Sequence, residues 1–158
     1  MEISTSIIML KNTASEHDIY DHLVRIDQCH LPSLSERVDL KSYAKKLKDN
    51  ALLIELWDDN RLVGLIAYYE TAERFFYISN ISVEAEYRNC TATPNLSTIM
   101  MHELTQLART KKMFRIQLNV FKENKRAIQF YSKHGFESVE TKSDDITMSM
   151  SLQINTND

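Results

Sequence analysis

Two hydrophobic periods alternate along the chain and predict a mixed order of strands and helices. Short runs rich in β-branched and aromatic residues predict seven strands, at about residues 6–11, 51–57, 62–69, 75–83, 114–121, 136–139 and 146–152. Apolar residues at helical spacing predict four helices, at about residues 15–30, 39–50, 99–108 and 125–134. The order β-α-α-β-β-β-α-β-α-β-β predicts an α/β fold, a mixed sheet with helices on both faces.

Breaks in this pattern give the predicted boundaries. Pro32 ends the first helix, residues 58–61 form a polar hairpin turn, and residues 84–97 form a polar, irregular segment. No repeat, low-complexity tract or linker interrupts the chain. We therefore expect one domain over residues 1–158.

The composition narrows the classes of function. Hydrophobic residues make up 43% of the 158 residues and charged residues 26%, as is usual for a globular domain. The net charge of −3 argues against a nucleic-acid partner, and no stretch approaches the ~20 apolar residues of a membrane span. Two cysteines give neither a disulfide framework nor a zinc-ligand spacing, and no signal peptide is visible. We expect a cytoplasmic protein without a metal.

The segment of residues 118–136 carries the strongest motif. It predicts a strand, a turn, a helix capped by Asn124 and a stop at Gly135, one of only two glycines in the chain. Its letters Asn-x-x-Ala-x-x-Phe-Tyr-x-x-x-Gly-Phe resemble the second half of the GNAT N-acetyltransferase superfamily. The resemblance implies that Asn124 helps to hold the cofactor and that Tyr131, a phenol of pKa ~10, protonates the departing CoA thiolate. The alternative is that Asn124 only caps the helix and Tyr131 only packs in the core.

A second segment, residues 77–88, resembles the central strand of the same superfamily and its exit. The family pattern there is Val-x-Pro-x-x-Arg, and this chain has Val83, Ala85 and Arg88, with alanine in place of the usual proline. The resemblance implies that the backbone of this strand pairs with the pantetheine arm of CoA like an added strand. The strand residues concerned are Ile81, Ser82 and Val83.

The loop that would hold the CoA pyrophosphate departs from the family pattern. The family uses Arg/Gln-x-x-Gly-x-Gly/Ala, so that free backbone amides at a helix N-terminus face the anion. This chain has no glycine between Gly64 and Gly135. Read directly from Arg88, the loop is residues 89–93; counted back from the next helix, it is residues 92–97. We prefer the second register, because the apolar face of that helix then begins immediately after the loop.

In the preferred register, Asn95 and Ser97 stand at the two glycine positions. Asparagine tolerates a positive φ better than other residues with a side chain, so we expect a positive φ at Asn95. The alternative is a lost or reshaped cofactor site. The residues expected to bind the cofactor here are Arg88, Asn95, Leu96, Ser97 and Thr98.

The resemblance implies acetyl transfer from acetyl-CoA to an amine of a small molecule or peptide. We expect direct attack in a ternary complex, because no Cys-His or Ser-His pair is evident. Two alternatives stay open: a non-catalytic domain of this fold that acts as a binding or regulatory module, and a transferase for protein N-termini or lysines. A homodimer is compatible with the resemblance. The candidates for acceptor binding or for a general base are Asp27, His30, Arg37, Tyr68 and Glu70.

Overall fold

The computed structural model describes residues 7–88 and 95–152. Its seven strands form one sheet in the order β1-β2-β3-β4-β5-β7-β6, in which only β4 and β5 run parallel. The strands are β1 Ile7–Lys11, β2 Leu52–Asp58, β3 Arg61–Glu70, β4 Phe75–Val83, β5 Arg115–Phe121, β6 Glu137–Thr141 and β7 Asp145–Ser151. The helices are α1 Glu16–Ile26, α2 Leu40–Asn50, α3 Ala85–Arg88, α4 Leu96–Thr110 and α5 Lys125–Lys133.

The predicted α/β class and element order are confirmed, with one addition. The four-residue helix α3 lies within the segment that the sequence predicts as irregular. Two short 3-10 turns, Asp27–Cys29 and Leu34–Glu36, connect α1 to α2 around Pro32. No helix in the described ranges is long and apolar enough to cross a membrane.

Local side-chain chemistry starts and stops the helices. Ser15 caps α1 in a reciprocal capping box with Asp18, and Asp39 caps α2. At the end of α5, Gly135 has a φ of 96°, a conformation in which a side chain would be strained. The Phe136 N–H then donates to the Tyr131 carbonyl, which turns the chain directly from α5 toward β6.

Two hydrophobic layers hold the sheet between its helices. On one face, α1 and α2 bury Ile19, Leu23 and Leu47 completely against β2 and β3. On the other face, α4 buries Met100 and Leu104 in the larger cluster, which also receives α5. Burial of such side chains contributes roughly 1.5–3 kcal/mol each, so these two layers fix the positions of the strands between them.

Strands β4 and β5 pair over only part of their length. Their register runs from Phe75 beside Arg115 to Ile78 beside Leu118, and beyond Ile78 they have no pairing. The second half of β4 therefore has a free backbone edge on its β5 side. This separation opens the sheet near its centre.

A β-bulge in β4 lies at the point where the two strands separate. Ala67 of β3 pairs with Asn80 and Tyr68 pairs with Ile78, so Ser79 has no partner in β3. The Tyr43 hydroxyl of α2 lies 2.6 Å from Ser79 Oγ and holds the bulge from the α2 side. Because of the extra residue, the side chains beyond the bulge change faces.

Candidate active site

A cavity of about 220 Å³ lies in the opening between β4 and β5. Its walls come from the second half of β4, the end of β5, the end of α3, the start of α4, one face of α5, and the connection between α1 and α2. Eight of the ten predicted site residues line it together, namely Tyr131, Ile81, Ser82, Val83, Arg88, Asn95, Ser97 and Asn124. Residues that are up to 50 positions apart in the sequence thus meet in one site.

The remaining two predicted residues do not line the cavity. Leu96 has its side chain in the core, where it is 4% exposed, and Thr98 Oγ1 lies 3.3 Å from His134 Nε2. Both residues stand in the first turn of α4, where backbone amides lack helical partners. Of these two residues, only the backbone N–H groups are therefore available to bind an anion.

Tyr131 reaches the cavity from α5 and packs between two aromatic rings. Its ring packs against Phe130 and Phe136 at centroid distances of 5.5 and 5.7 Å. Asn124 fixes the start of the helix, because its side-chain oxygen accepts from the Ala127 N–H at 3.3 Å. Burial raises the pKa of Tyr131, so the phenol keeps its proton at every pH near neutrality. The side chain can therefore donate a proton or a hydrogen bond.

The start of α4 differs from the expectation at Asn95. Its φ is −52°, so the predicted positive φ is wrong. Asn95 is instead the N-cap of α4, and its side-chain oxygen accepts from the Ser97 N–H at 2.8 Å. An N-cap residue has an extended backbone, and its side chain accepts a hydrogen bond from a free backbone N–H of the helix. A positive φ, which glycine adopts most readily, is therefore not needed at residue 95. The alternative register over residues 89–93 lies outside the described residues.

The cavity wall carries positive charge. Three arginines line it, Arg37, Arg88 and Arg126, and no aspartate or glutamate does so among the residues described. Arg88 Nε is buried without a hydrogen-bond partner in the described parts of the chain. An arginine in this state favours an anionic ligand, since a buried donor without a partner costs free energy. Within the same ranges, no group of three or more His, Cys, Asp or Glu could hold a metal ion.

Of the five candidates for the acceptor side, His30 and Arg37 line the cavity. Burial lowers the pKa of His30, with the nearby Arg37 acting in the same direction, so its imidazole is neutral near pH 7. The Arg37 guanidinium lies 4.9 Å from the Phe121 ring centroid, within the range of a cation–π contact.

The other three candidates have structural partners away from the cavity. Asp27 accepts from the backbone N–H and the hydroxyl of Ser35, at 2.7 and 2.6 Å, and so closes the turn after α1. Tyr68 is 5% exposed in the core, and Glu70 forms an ion pair with Lys111 at 2.9 Å.

Sequence reasoning missed two residues that shape the site, Asn80 and His22. Asn80 lines the cavity from β4 and is 4% exposed, whereas His22 of α1 is fully buried behind it. A polar pair, Ser79 and Asn80, inside an otherwise apolar and aromatic strand was the available signal for the first. His22 falls on the buried face of α1 beside Leu23, and helical spacing alone could have placed it there.

Comparison with known proteins agrees with this geometry. The family model described as Acetyltransferase (GNAT) family matches residues 17–136. The PaiA N-acetyltransferase of Thermoplasma acidophilum, solved with coenzyme A, has a TM-score of 0.71 at 17% identity, over 94% of this chain and 100% of that one. A GNAT acetyltransferase of Elizabethkingia anophelis, solved with acetyl-CoA, has a TM-score of 0.70 at 16% identity, over 94% and 100%.

A third solved structure shares the fold at a similar level. It is the ribosomal-protein-S18-alanine N-acetyltransferase of Escherichia coli, with a TM-score of 0.69 at 14% identity, over 94% of this chain and 96% of that one. The search of curated proteins found no match. The family match covers most of the chain, including the separated strands and α5, and we conclude that the protein belongs to the GNAT family of acetyltransferases.

Proposed function

We propose that the protein transfers the acetyl group of acetyl-CoA to an amine of a small molecule or peptide, by direct attack in a ternary complex. The observation that carries this proposal is the cavity between β4 and β5, where the free edge of β4, the start of α4 and Tyr131 meet. A single domain over residues 1–158, a cytoplasmic location and a homodimer remain predictions from the sequence.

Three groups along one side of the cavity support acetyl-CoA binding. The free edge of β4 from Ser79 to Val83 offers backbone hydrogen bonds to an amide-containing chain, in the manner of an added strand. The N-terminus of α4 and the Arg88 side chain provide positive charge for a pyrophosphate. Asn124, although it caps α5, also lines the cavity beside this path.

The protein groups then act on an acyl group that acetyl-CoA supplies as a thioester. Backbone N–H groups of β4 polarise the carbonyl, and the nearby walls align it with the amine. A carbon–nitrogen bond forms as the carbon–sulfur bond breaks. Tyr131 donates its proton to the departing sulfur, and the amine gives up a proton that restores the phenol through solvent or a neighbouring base.

The acceptor side favours an amine without further positive charge. His30 and Arg37 line that side of the cavity, and no carboxylate lines it among the described residues. A polyamine would bring several positive charges toward arginines, which is unfavourable at close range. An amine that carries a carboxylate can instead pair with the Arg37 guanidinium, whose planar donors suit such a group.

The test has two parts, binding and turnover. Acetyl-CoA should raise the unfolding temperature of the purified protein, because it binds only the folded state. Another nucleotide with equal phosphate charge, such as ATP, is the control for non-specific anion binding. Release of free thiol is then measured with a panel of amines. No stabilisation by millimolar acetyl-CoA would refute the proposal.

A second candidate function is a GNAT domain that binds without catalysis. The start of α4 favours this candidate. It has no glycine, and the Ser97 backbone N–H already donates a hydrogen bond to the Asn95 side-chain oxygen. A pyrophosphate there meets fewer free amides than at an uncapped helix. Stabilisation by acetyl-CoA without thiol release for any amine would support this candidate over the enzyme.

A further inference from the structure

A buried row of polar side chains connects α1 to the cavity, and none of these side chains takes part in the acetyl transfer proposed for the protein. His22 Nδ1 lies 2.9 Å from the Leu62 carbonyl oxygen, and His22 Nε2 lies 2.8 Å from Ser82 Oγ. In the structure Ser82 Oγ lies 2.8 Å from Asn80 Oδ1, and Asn80 Nδ2 lies 3.5 Å from His30 Nε2. His22 is 0% exposed, Ser82 7% and Asn80 4%, so each of these polar groups requires a partner.

Counting protons along this row determines which way the Asn80 amide points. The Leu62 oxygen only accepts, so the proton of a neutral His22 is on Nδ1 and Nε2 must accept. Nε2 can accept only from the Ser82 hydroxyl, which has a single proton. Ser82 Oγ must therefore accept from Asn80, and only the Asn80 nitrogen can donate to it. A neutral His22 therefore requires the amide to be turned by half a revolution from its orientation in the structure, so that the Asn80 oxygen faces His30 and the cavity.

The amide orientation of the structure, with Asn80 Oδ1 toward Ser82, needs a charged His22. With the Asn80 oxygen at Ser82, the hydroxyl donates to Asn80, and both ring nitrogens of His22 then need protons. Burial lowers the pKa of His22 to about 4, opposed by the Leu62 hydrogen bond and Glu84 and assisted by Arg25 and His30.

Glu84 does not supply a counter-ion for such a charge. It already forms ion pairs with Arg25 and with Arg61, the latter at 2.8 Å. The two arginines neutralise the carboxylate on the side where it could otherwise favour an imidazolium. A neutral His22 ring is therefore consistent only with an amide turned so that the Asn80 oxygen faces outward.

We propose that Asn80 binds the acceptor amine through its side-chain carbonyl oxygen, and that His22 sets this orientation through Ser82. Asn80 and His30 line the same cavity, and the Asn80 amide lies 3.5 Å from His30 Nε2. With the oxygen turned outward, the donor is the Nε2–H of a neutral His30, whose Nδ1 then has no proton for the Ile26 carbonyl 3.5 Å away. A hydrogen bond of 3.5 Å is weak, so an amine N–H can replace that of His30 at small cost. The bulge at Ser79 turns Asn80 to this side, since Ile81 packs on the α4 face while Ser82 contacts α1.

Nuclear magnetic resonance tests the orientation without any assay of activity. In 15N-labelled protein near neutral pH, His22 should be neutral with its proton on Nδ1. The Asn80 side-chain amide protons should show contacts to the Ser82 β-protons rather than to the His30 ring. A proton on His22 Nε2 would overturn the proposal, as would Asn80 amide protons directed at His30.

Kinetics test the amine-binding role, which rests on the proposed function. Ser82→Ala removes the link and should raise the KM for the amine about tenfold, with the KM for acetyl-CoA unchanged, since one oriented hydrogen bond is lost. Ser82→Thr keeps the hydroxyl and should restore the KM. Thermal unfolding confirms that each variant is folded. An unchanged KM for the amine in folded Ser82→Ala, or no rescue by threonine, would contradict the role.

The two experiments separate the two proposals. If wild-type protein acetylates amines but the resonance data place the Asn80 nitrogen toward His30, the proposed function stands and the Asn80 inference fails. If no amine is acetylated, the amine-binding role fails together with the proposed function, while the resonance data still decide the orientation of the amide.

Discussion

Acid should destabilise the folded protein through His22, because the folded state takes up a proton there much less readily than the unfolded chain. His22 is 0% exposed, and burial lowers its pKa from 6.5 to about 4. Between these two pKa values the unfolded state binds more protons than the folded state, so the free energy of unfolding falls as the pH falls. The stability is fully present above about pH 6.5 and is lost progressively down to about pH 4.

The size of the effect follows from the pKa difference. Each unit of difference is worth about 1.4 kcal/mol, so the whole shift corresponds to about 3 kcal/mol. Between about pH 7 and about pH 4.5, most of this range is crossed, and we expect a loss of about 2 kcal/mol from His22 alone. Since a typical domain has only about 5–15 kcal/mol of stability, the effect is measurable by urea unfolding at several pH values.

His22→Asn is the matched control, because it removes the titrating ring and its amide can still donate to the Leu62 carbonyl. Burial also lowers the pKa of His30 and His134, and carboxylates titrate in the same range, so the wild-type slope alone is not sufficient. These contributions are common to both proteins and cancel in the difference. Equal pH slopes in the wild type and His22→Asn would refute the reasoning, as would a resonance titration of His22 near pH 6.5.

Three further predictions concern the site and its supports. Tyr131→Phe should lower kcat by ~10²–10⁴-fold with little change in the KM for acetyl-CoA, since the ring still packs and only the proton donor is lost; unchanged thiol release in steady-state assays would leave Tyr131 a packing residue. Gly135→Ala should cost about 1–2 kcal/mol in urea unfolding, because the φ of 96° strains any side chain, and wild-type stability would contradict this. Amines that carry a carboxylate should have a higher kcat/KM than polyamines, and Arg37→Gln should reduce that preference; a preference for polyamines in the wild type would contradict the charge argument.

Features that depend on a few neighbouring residues could be predicted from the order of the amino acids. Helical and alternating periods predicted the order of the elements, and the spacing from Asn124 to Gly135 predicted a capped helix with a positive-φ stop, as found. Such features are local because a cap or a helix stop is formed by hydrogen bonds within one or two turns. Even here local reasoning failed at Asn95, where capping replaced the expected positive φ.

The point where the strands separate, and the side chains that meet there, depend on long-range packing and could not be predicted from the sequence. The pairing of β4 with β5 ends at Ile78, and the bulge at Ser79 turns Asn80 toward α1, and neither is written in the residue types of β4 alone. The bond from His22 to Ser82 spans 60 positions of sequence. Contacts of this kind depend on the register between strands and on the packing of helices against them, and a shift of one residue would move every side chain of a strand to the opposite face.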